Sequence, residues 1–339
     1  MKHTEQHIRE LMGPLDPMRD DERAAVPPPH PTGIIDTEQP AARRHRPRAR
    51  TRRAVLAGAA ATVLVAGGLV WTTAGPNAPE GYAATPPLLE ITPPQRDLPA
   101  AERLHAIADR AEVSGVPKGA PGQTEYIKME NWYLHSQIDN SGTVSVIQPS
   151  TFRLWRHADG SGRSVIRAQP PQFRSEAGRE KWAGDTSGSE RVHRWGAGER
   201  TYYWDERPPV DADALRRWLR QRPSGQTEPL RTFSAITDLL RNRVLLPQER
   251  AAVLRVLAEL PGMRYNGTTR DRAGRPGRAF SLESDGSGLP TRYTFILGPD
   301  NGRFLGYEEM LTTSAGKLNV PIPSVISYSI FLERKFVER

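Results

Sequence analysis

The residues that could do chemistry are scattered along this sequence and do not stand at the spacings that known active sites use. The sequence contains no H-E-x-x-H zinc motif, no G-x-S-x-G nucleophile turn, no G-x-x-x-x-G-K-[ST] phosphate loop and no G-x-G-x-x-G dinucleotide fingerprint. Ser314 and Lys317 match S-x-x-K, but so short a pattern recurs by chance, and it stands in a glycine-containing loop. The sequence therefore favours a protein that is not an enzyme.

Metal and cofactor chemistry lack a candidate cluster as well. There is no cysteine, which excludes disulfides, thiolate metal ligands and cysteine nucleophiles. The histidines are dispersed, and only His135, His157 and His193 lie in the predicted β region of the C-terminal domain. Zinc needs three or four converging ligands. We therefore expect neither a metal nor a cofactor.

Aromatic side chains are the remaining signal. Trp132, Tyr133, Trp155 and Trp204 all belong to strands predicted in the first half of the C-terminal region. Because aromatic residues favour strands, ordinary core packing is one interpretation. The other is a concave apolar pocket that holds a lipid-like ligand or a segment of a partner protein. On the second interpretation these four are the ligand-binding residues.

Residues 54–73 read as a membrane segment. Their sequence, AVLAGAAATVLVAGGLVWTT, carries no charge over 20 residues, the length that crosses a hydrocarbon core of about 30 Å as a helix. Arg50, Arg52 and Arg53 end a run of arginines directly before it, and Trp71 stands at the other end, where an indole suits the interface. Positive charge on this side predicts a cytoplasmic N-terminus and an extracytoplasmic C-terminal domain.

A cleaved export signal is the alternative for the same segment. Arg52 and Arg53 before the apolar stretch resemble a twin-arginine signal, and Gly81-Tyr82-Ala83 offers small residues for cleavage. Against it, more than 50 residues precede the apolar stretch, which is longer than a usual signal core of about 7–15 residues. The arginines beside a membrane segment favour contact with the lipid bilayer over nucleic acid, so no nucleic-acid partner is expected.

The chain divides into four predicted regions. Residues 1–53 form a largely disordered cytoplasmic arm with an arginine-rich end, residues 54–73 a transmembrane helix, residues 74–97 a proline-rich stalk, and residues 98–339 an extracytoplasmic domain. A short helix up to about Leu11 is predicted before Gly13-Pro14. It would either bind a cytoplasmic partner or remain within an unstructured arm.

The C-terminal domain is predicted to be α+β, a curved antiparallel sheet with helices packed on one face. Helical spacing of apolar residues indicates helices over 98–113, 211–222, 234–243 and 247–260. Strands are predicted over 123–138, 143–147, 151–157, 163–167 and 201–204, and again over 263–270, 278–283, 291–297, 303–312 and 325–337. Residues 170–200 are predicted as a long polar excursion.

The order of these segments resembles a family of uncharacterised single-pass membrane proteins of actinobacteria. The resemblance is carried by Pro27-Pro28-Pro29, the arginine run, the apolar segment, the aromatic strand 126–133, Leu260-Pro261-Gly262 and the turn 298–306. It implies a topology rather than an activity. The outer domain also resembles the half-barrels of lipoprotein carriers and of envelope-stress regulators that sense lipoproteins, which is an analogy of fold only.

These observations favour a membrane-anchored extracytoplasmic binding or sensing module, without enzymatic activity, for a lipid-like ligand or an envelope protein. One alternative is an envelope-stress regulator whose cytoplasmic arm binds a transcriptional partner. A second alternative is an enzyme whose catalytic residues match no familiar motif.

Overall fold

Ten strands dominate the region of the chain that the structure, a computed structural model, describes: residues 85–96, 99–114, 123–139, 142–173, 175–184, 186–199 and 204–338. The strands are β1 (Ile91–Thr92), β2 (Thr124–Asp139), β3 (Gly142–Arg156), β4 (Gly162–Ala168), β5 (Ser189–Trp195), β6 (Arg264–Arg270), β7 (Pro276–Ser284), β8 (Thr291–Leu297), β9 (Phe304–Leu311) and β10 (Ser324–Val337). The helices are α1 (Ala100–Glu112), α2 (Glu176–Lys181), α3 (Ala212–Leu219), α4 (Leu230–Asn242) and α5 (Pro247–Ala258). All strands join one antiparallel sheet in the order β1-β6-β7-β8-β9-β10-β2-β3-β4-β5.

The predicted α+β class is wrong, because only 22% of the described residues are helical and one large sheet makes up most of this region. The strand β3 extends well beyond its predicted ranges, and β4, β7 and β10 exceed theirs by one to three residues. β3 continues where two strands, 143–147 and 151–157, were predicted, because Pro149 lies just beyond the last pair with β4, Ser150 with Ala168. A proline there interrupts few ladder bonds. The predicted excursion 170–200 also contains α2 and β5.

The membrane prediction concerns residues that the structure does not describe. The arm 1–53 and the apolar segment 54–73 lie outside the described residues, as do Arg50, Arg52, Arg53 and Trp71. Among the residues that are described, no helix has the length and apolar character needed to cross a membrane. Of the predicted strand 201–204, only Trp204 is described.

The second half of the predicted stalk lies along the edge of the sheet. β1 pairs with β6, Ile91 opposite Thr269. The Thr269 hydroxyl donates to the Glu90 carbonyl over 2.7 Å, and Arg272 Nη1 donates to the Pro87 carbonyl over 2.7 Å. An exposed strand edge invites pairing with other chains, and these contacts cover a portion of the β6 edge.

Helices α4 and α5 cover one face of the sheet. Phe233 of α4 stacks on Phe295 of β8 with 4.3 Å between ring centroids, and its ring also contacts Tyr307 of β9. Leu239 and Leu240 of α4 and Leu254 of α5 are fully buried. We call this side the covered face and the opposite side the open face. Paired residues of neighbouring strands share a face, so the register assigns every strand residue to one of the two.

Phe233 should be the strongest single contributor to the packing of α4. Replacing it with alanine removes a fully buried ring and leaves a cavity, so the free energy of unfolding should fall by about 3–5 kcal/mol. Urea unfolding of the full chain measures this. Val192→Ala, at a side chain that is 42% exposed, is the control and should change stability by no more than about 0.5 kcal/mol. Equal effects of the two substitutions would contradict the assignment of the covered face.

Candidate functional site

The structure places the predicted ligand-binding residues Trp132 and Tyr133 on opposite faces of the sheet, because they are neighbours in β2. Trp132 is 3% exposed and stacks on Tyr328 of β10, with centroids 5.6 Å apart and an interplanar angle of 8°. Tyr133 lies on the covered face, where its hydroxyl accepts a hydrogen bond from Arg241 of α4. These two residues therefore belong to separate environments.

Trp155 and Trp204 lie apart as well. Trp204 is buried against Trp218 of α3, with ring centroids 4.6 Å apart. Trp155 is half-buried on the open face, next to Tyr126 of β2 at 5.1 Å between centroids. Of the four predicted residues, Trp155 alone lies beside an aromatic neighbour on a surface accessible to a large partner.

Two rows of side chains run across the open face at this point. The register gives the first row, from β10 to β5, as Lys335, Tyr126, Trp155, Arg163 and Arg194. It gives the second row as Glu333, Lys128, Arg153, Val165 and Val192. The seven aromatic and cationic members, Tyr126, Lys128, Arg153, Trp155, Arg163, Arg194 and Lys335, are named the basic aromatic patch. The two rows carry five cations against the single carboxylate of Glu333.

Four of the five cations of the basic aromatic patch have no acid partner among the described residues. Lys335 pairs with Glu333 over 2.6 Å. Within the described region of the chain, no carboxylate pairs with Lys128, Arg153, Arg163 or Arg194. The Arg163 guanidinium lies 4.0 Å from the centroid of the Trp155 ring, a cation–π contact. The patch combines unneutralised positive charge with flat aromatic rings, the combination that suits an anionic surface.

A polar network occupies one region of the covered face under α4. Arg241 donates to Tyr133, and the Tyr133 hydroxyl is 3.4 Å from Asn131 Oδ1. The Ser329 hydroxyl of β10 donates to the same Asn131 oxygen over 2.7 Å. Burial lowers the pKa of Arg241, but its interactions with Tyr133 and Asp238 outweigh that effect and raise the pKa above its ordinary value. Arg241 therefore remains a cation.

A buried tyrosine and carboxylate adjoin this network. The Tyr307 hydroxyl of β9 donates to Glu309 Oε1, and both residues are buried. Burial, and next the negative charge of Glu309, raise the pKa of Tyr307 well above its ordinary value. The phenol therefore keeps its proton at neutral pH. As a hydrogen-bond donor to Glu309 it stabilises a buried carboxylate, which is a structural role.

A second buried network ties the loop between α4 and α5 to the sheet. Arg207 donates to Glu125 Oε1 over 3.2 Å and to Glu249 Oε1 over 2.7 Å. The other Glu125 oxygen accepts from the Val244 amide over 2.7 Å. Arg243 Nε lies 3.4 Å from Glu125 Oε1. These carboxylates are satisfied by internal partners, so they hold the fold together rather than present a reactive group.

Sequence reasoning missed the basic aromatic patch although some of its signal was readable. Tyr126 and Lys128 stand two apart in one strand, as do Arg153 and Trp155 in the next, and such spacing places each pair on one face. The register between the strands was the missing information. Metal ligation has no candidate either, since in the described ranges no group of histidine and acidic side chains is arranged to hold an ion.

Glu125 should be essential to the buried network. Glu125→Gln leaves Arg207 paired with Glu249 but removes the acid that balances the buried Arg243, so the free energy of unfolding should fall by about 3–5 kcal/mol in urea titrations. The matched change Glu190→Gln breaks an exposed pair with Arg167 and should cost at most about 1 kcal/mol. A loss below that of the control would show that Glu125 is dispensable.

No protein-family model matches the chain, and no curated protein is similar to it. The resemblance to actinobacterial single-pass membrane proteins therefore stays a prediction from the sequence. The function has to be inferred from the two faces of the sheet and from the charges on them.

Proposed function

We propose that the chain is a membrane-anchored, non-enzymatic binding module whose sheet lies outside the membrane and binds anionic lipid headgroups through the basic aromatic patch. The observation that carries the proposal is the pair of rows on the open face, with four cations that no carboxylate of the described residues neutralises. A lipid bilayer is the partner that the sequence already favours, because an uncharged segment of 20 residues follows the arginine run.

The distance along the chain is compatible with this contact. The apolar segment ends at Thr73, and the described sheet-bound region begins at Thr85. The residues between them can span at most about 40 Å when fully extended. A domain held within that distance meets the bilayer surface often, so even a weak affinity per residue produces substantial occupancy.

The chemistry of the patch fits a headgroup layer. A basic residue near an anionic membrane contributes about 1 kcal/mol of attraction, and this attraction falls off within a Debye length. Tyrosine and tryptophan prefer the interfacial layer, where an apolar ring and a polar edge are both accommodated. Trp155 and Tyr126 stand between Lys335 and Arg163 in one row, so rings and cations reach the same plane.

The covered face supports binding over catalysis. Its buried carboxylates, Glu125, Glu249 and Glu309, accept hydrogen bonds from internal donors. A general acid or base must instead reach a substrate proton. The covered face under α4 is also filled by side chains such as Phe233 and Leu240, so a lipid-like ligand is proposed to contact the open face and not to lie beneath the helices.

The absence of native cysteine makes a direct test possible. A fluorophore on Thr151→Cys, an open-face residue of β3, should be quenched by a quencher attached to lipid headgroups when the full chain is in bilayers with anionic phospholipid. The same fluorophore on Gln248→Cys, an exposed residue of α5, should be quenched much less. Zwitterionic bilayers or high salt should abolish the difference, because the attraction is electrostatic.

A charge-matched pair of double variants completes the test. Arg163→Gln with Arg194→Gln should weaken docking roughly thirtyfold, which corresponds to about 1 kcal/mol for each residue. Lys181→Gln with Arg217→Gln removes the same charge from exposed sites on α2 and α3 and should leave the quenching unchanged. Deleting residues 54–73 should release the chain from the membrane fraction. Equal quenching at both labelled positions, or equal effects of the two double variants, would refute docking through the patch.

A further inference from the structure

Three arginines from distant regions of the sequence lie close enough to one another near the start of α5 to affect one another's pKa. Arg250, in the first turns of α5, donates from Nε to the Asn301 carbonyl over 3.0 Å and from Nη2 to the Ser114 hydroxyl over 2.9 Å. Arg303 follows in the same turn as Asn301. Arg334 of β10 donates from Nη2 to the Arg243 carbonyl, at the C-terminal end of α4, over 2.9 Å. The group lies at the covered face.

The three guanidinium groups influence one another. Burial, and next the charges of Arg250 and Arg303, lower the pKa of Arg334 to about 9. Burial and the charge of Arg303 lower the pKa of Arg250 to about 10. Glu125 acts in the opposite direction on Arg334, with a smaller effect. Both shifts mean that burial and mutual repulsion disfavour the charged forms of Arg250 and Arg334.

Neutralising partners are missing from the described residues. No carboxylate among them forms an ion pair with Arg250, Arg303 or Arg334. Arg334 Nε is buried and has no hydrogen-bond partner. Glu125, the nearest acid in effect, already accepts from Arg207 and from the Val244 amide. Buried charges and buried donors normally have partners, so this cluster is a site that an external anion would complete.

The turn that carries Arg303 is fixed in place. The Gly298 amide donates to the Arg303 carbonyl over 2.8 Å, which closes the turn. Gly302 has a φ of +62°, and a Cβ at this position would lie 2.5 Å from Ile107 and 2.8 Å from Leu254. Only glycine fits such a backbone so close to α1 and α5. The backbone of this turn is therefore held close to α1 and α5, and the Arg303 side chain extends from it toward solvent.

We propose that Arg250, Arg303 and Arg334 form a binding site for a phosphate group. The planar fork of each guanidinium matches the oxygens of a phosphate, and several such forks around one group give both affinity and orientation. A phosphate carries about −1.5 to −2 charges near neutral pH, which suits three cations that lack an acid partner among the described residues. The phosphate is that of a soluble phosphate ester or of a lipid headgroup. This site is separate from the basic aromatic patch and does not depend on its function.

The first test titrates the full chain, in micelles of uncharged detergent, with inorganic phosphate against chloride at equal ionic strength. Phosphate should raise the unfolding temperature, because a ligand of the folded state stabilises it. Arg303→Gln, at an exposed position, should need about tenfold more phosphate for the same rise, through loss of one charge-assisted contact. Arg217→Gln removes an equal charge from exposed α3 and should behave as the wild type.

Arg334→Met gives an independent readout. In chloride this variant should unfold at about the wild-type temperature, because removing the buried charge and its unpartnered Nε offsets the loss of the hydrogen bond to the Arg243 carbonyl. Its response to phosphate should be lost. A wild-type chain without any response, or responses in Arg303→Gln and Arg334→Met equal to that of Arg217→Gln, would overturn the proposal.

Two further probes separate the sources of the phosphate. Glycerol 3-phosphate and a short-chain phosphatidic acid, kept below its micelle concentration, carry the same phosphate monoester. Equal potency of the two would assign the site to soluble phosphate esters. A much greater potency of the phosphatidic acid would assign it to lipid headgroups. If neither shifts the unfolding temperature beyond the chloride control, the site does not bind phosphate monoesters and the proposal fails.

Discussion

The alternation of side chains along continuous strands is the constraint on which the rest of this structure depends. Neighbouring residues point to opposite faces, and paired residues share a face, so a single register decides what is buried and what is presented. Through it, Phe295 and Tyr307 meet α4 while Tyr126 and Trp155 remain on the other side. A shift of one residue would exchange the two sets. The packing of Phe233 against the covered face therefore fixes the open face as well.

The charged side chains of the two faces differ in whether other residues neutralise them. On the covered face, Glu125 and Glu249 are enclosed together with Arg207 and Arg243, and each carboxylate oxygen has an internal donor. On the open face the cations of the basic aromatic patch stay in contact with solvent. The three arginines near α5 belong to neither group, because Arg250 and Arg334 are buried or partly buried, Arg303 is exposed, and none of them has an acid partner among the described residues. Neutralised, solvated and unneutralised charges thus occupy three separate regions, and only the last two are suited to a ligand.

Local signals in the sequence were sufficient for most of the elements. Asp211 caps α3 and Pro247 begins α5, where apolar spacing predicted helices. The class was misjudged because helical segments are easy to recognise, whereas the strands extend through weak signals such as Pro149. The sequence alone could not predict which residues from distant segments lie close together. Alternation in the predicted strand 123–138 already separates Trp132 from Tyr133. In contrast, the electrostatic influence of Arg250 on Arg334 does not follow from spacing along the chain.

In a chain held at a membrane, β1 and the residues before it are the part of the sheet that tension reaches first. Tension applied to the N-terminal side of residue 85 reaches the molecule first through the contacts of Thr85, Pro87 and Glu90 with Ser324, Arg272 and Thr269, and then through the short pairing of β1 with β6. These attachments involve few hydrogen bonds. These contacts would break one after another under tension while the packing of α4 on β8 stays intact. The N-terminal contacts would therefore detach before the core unfolds.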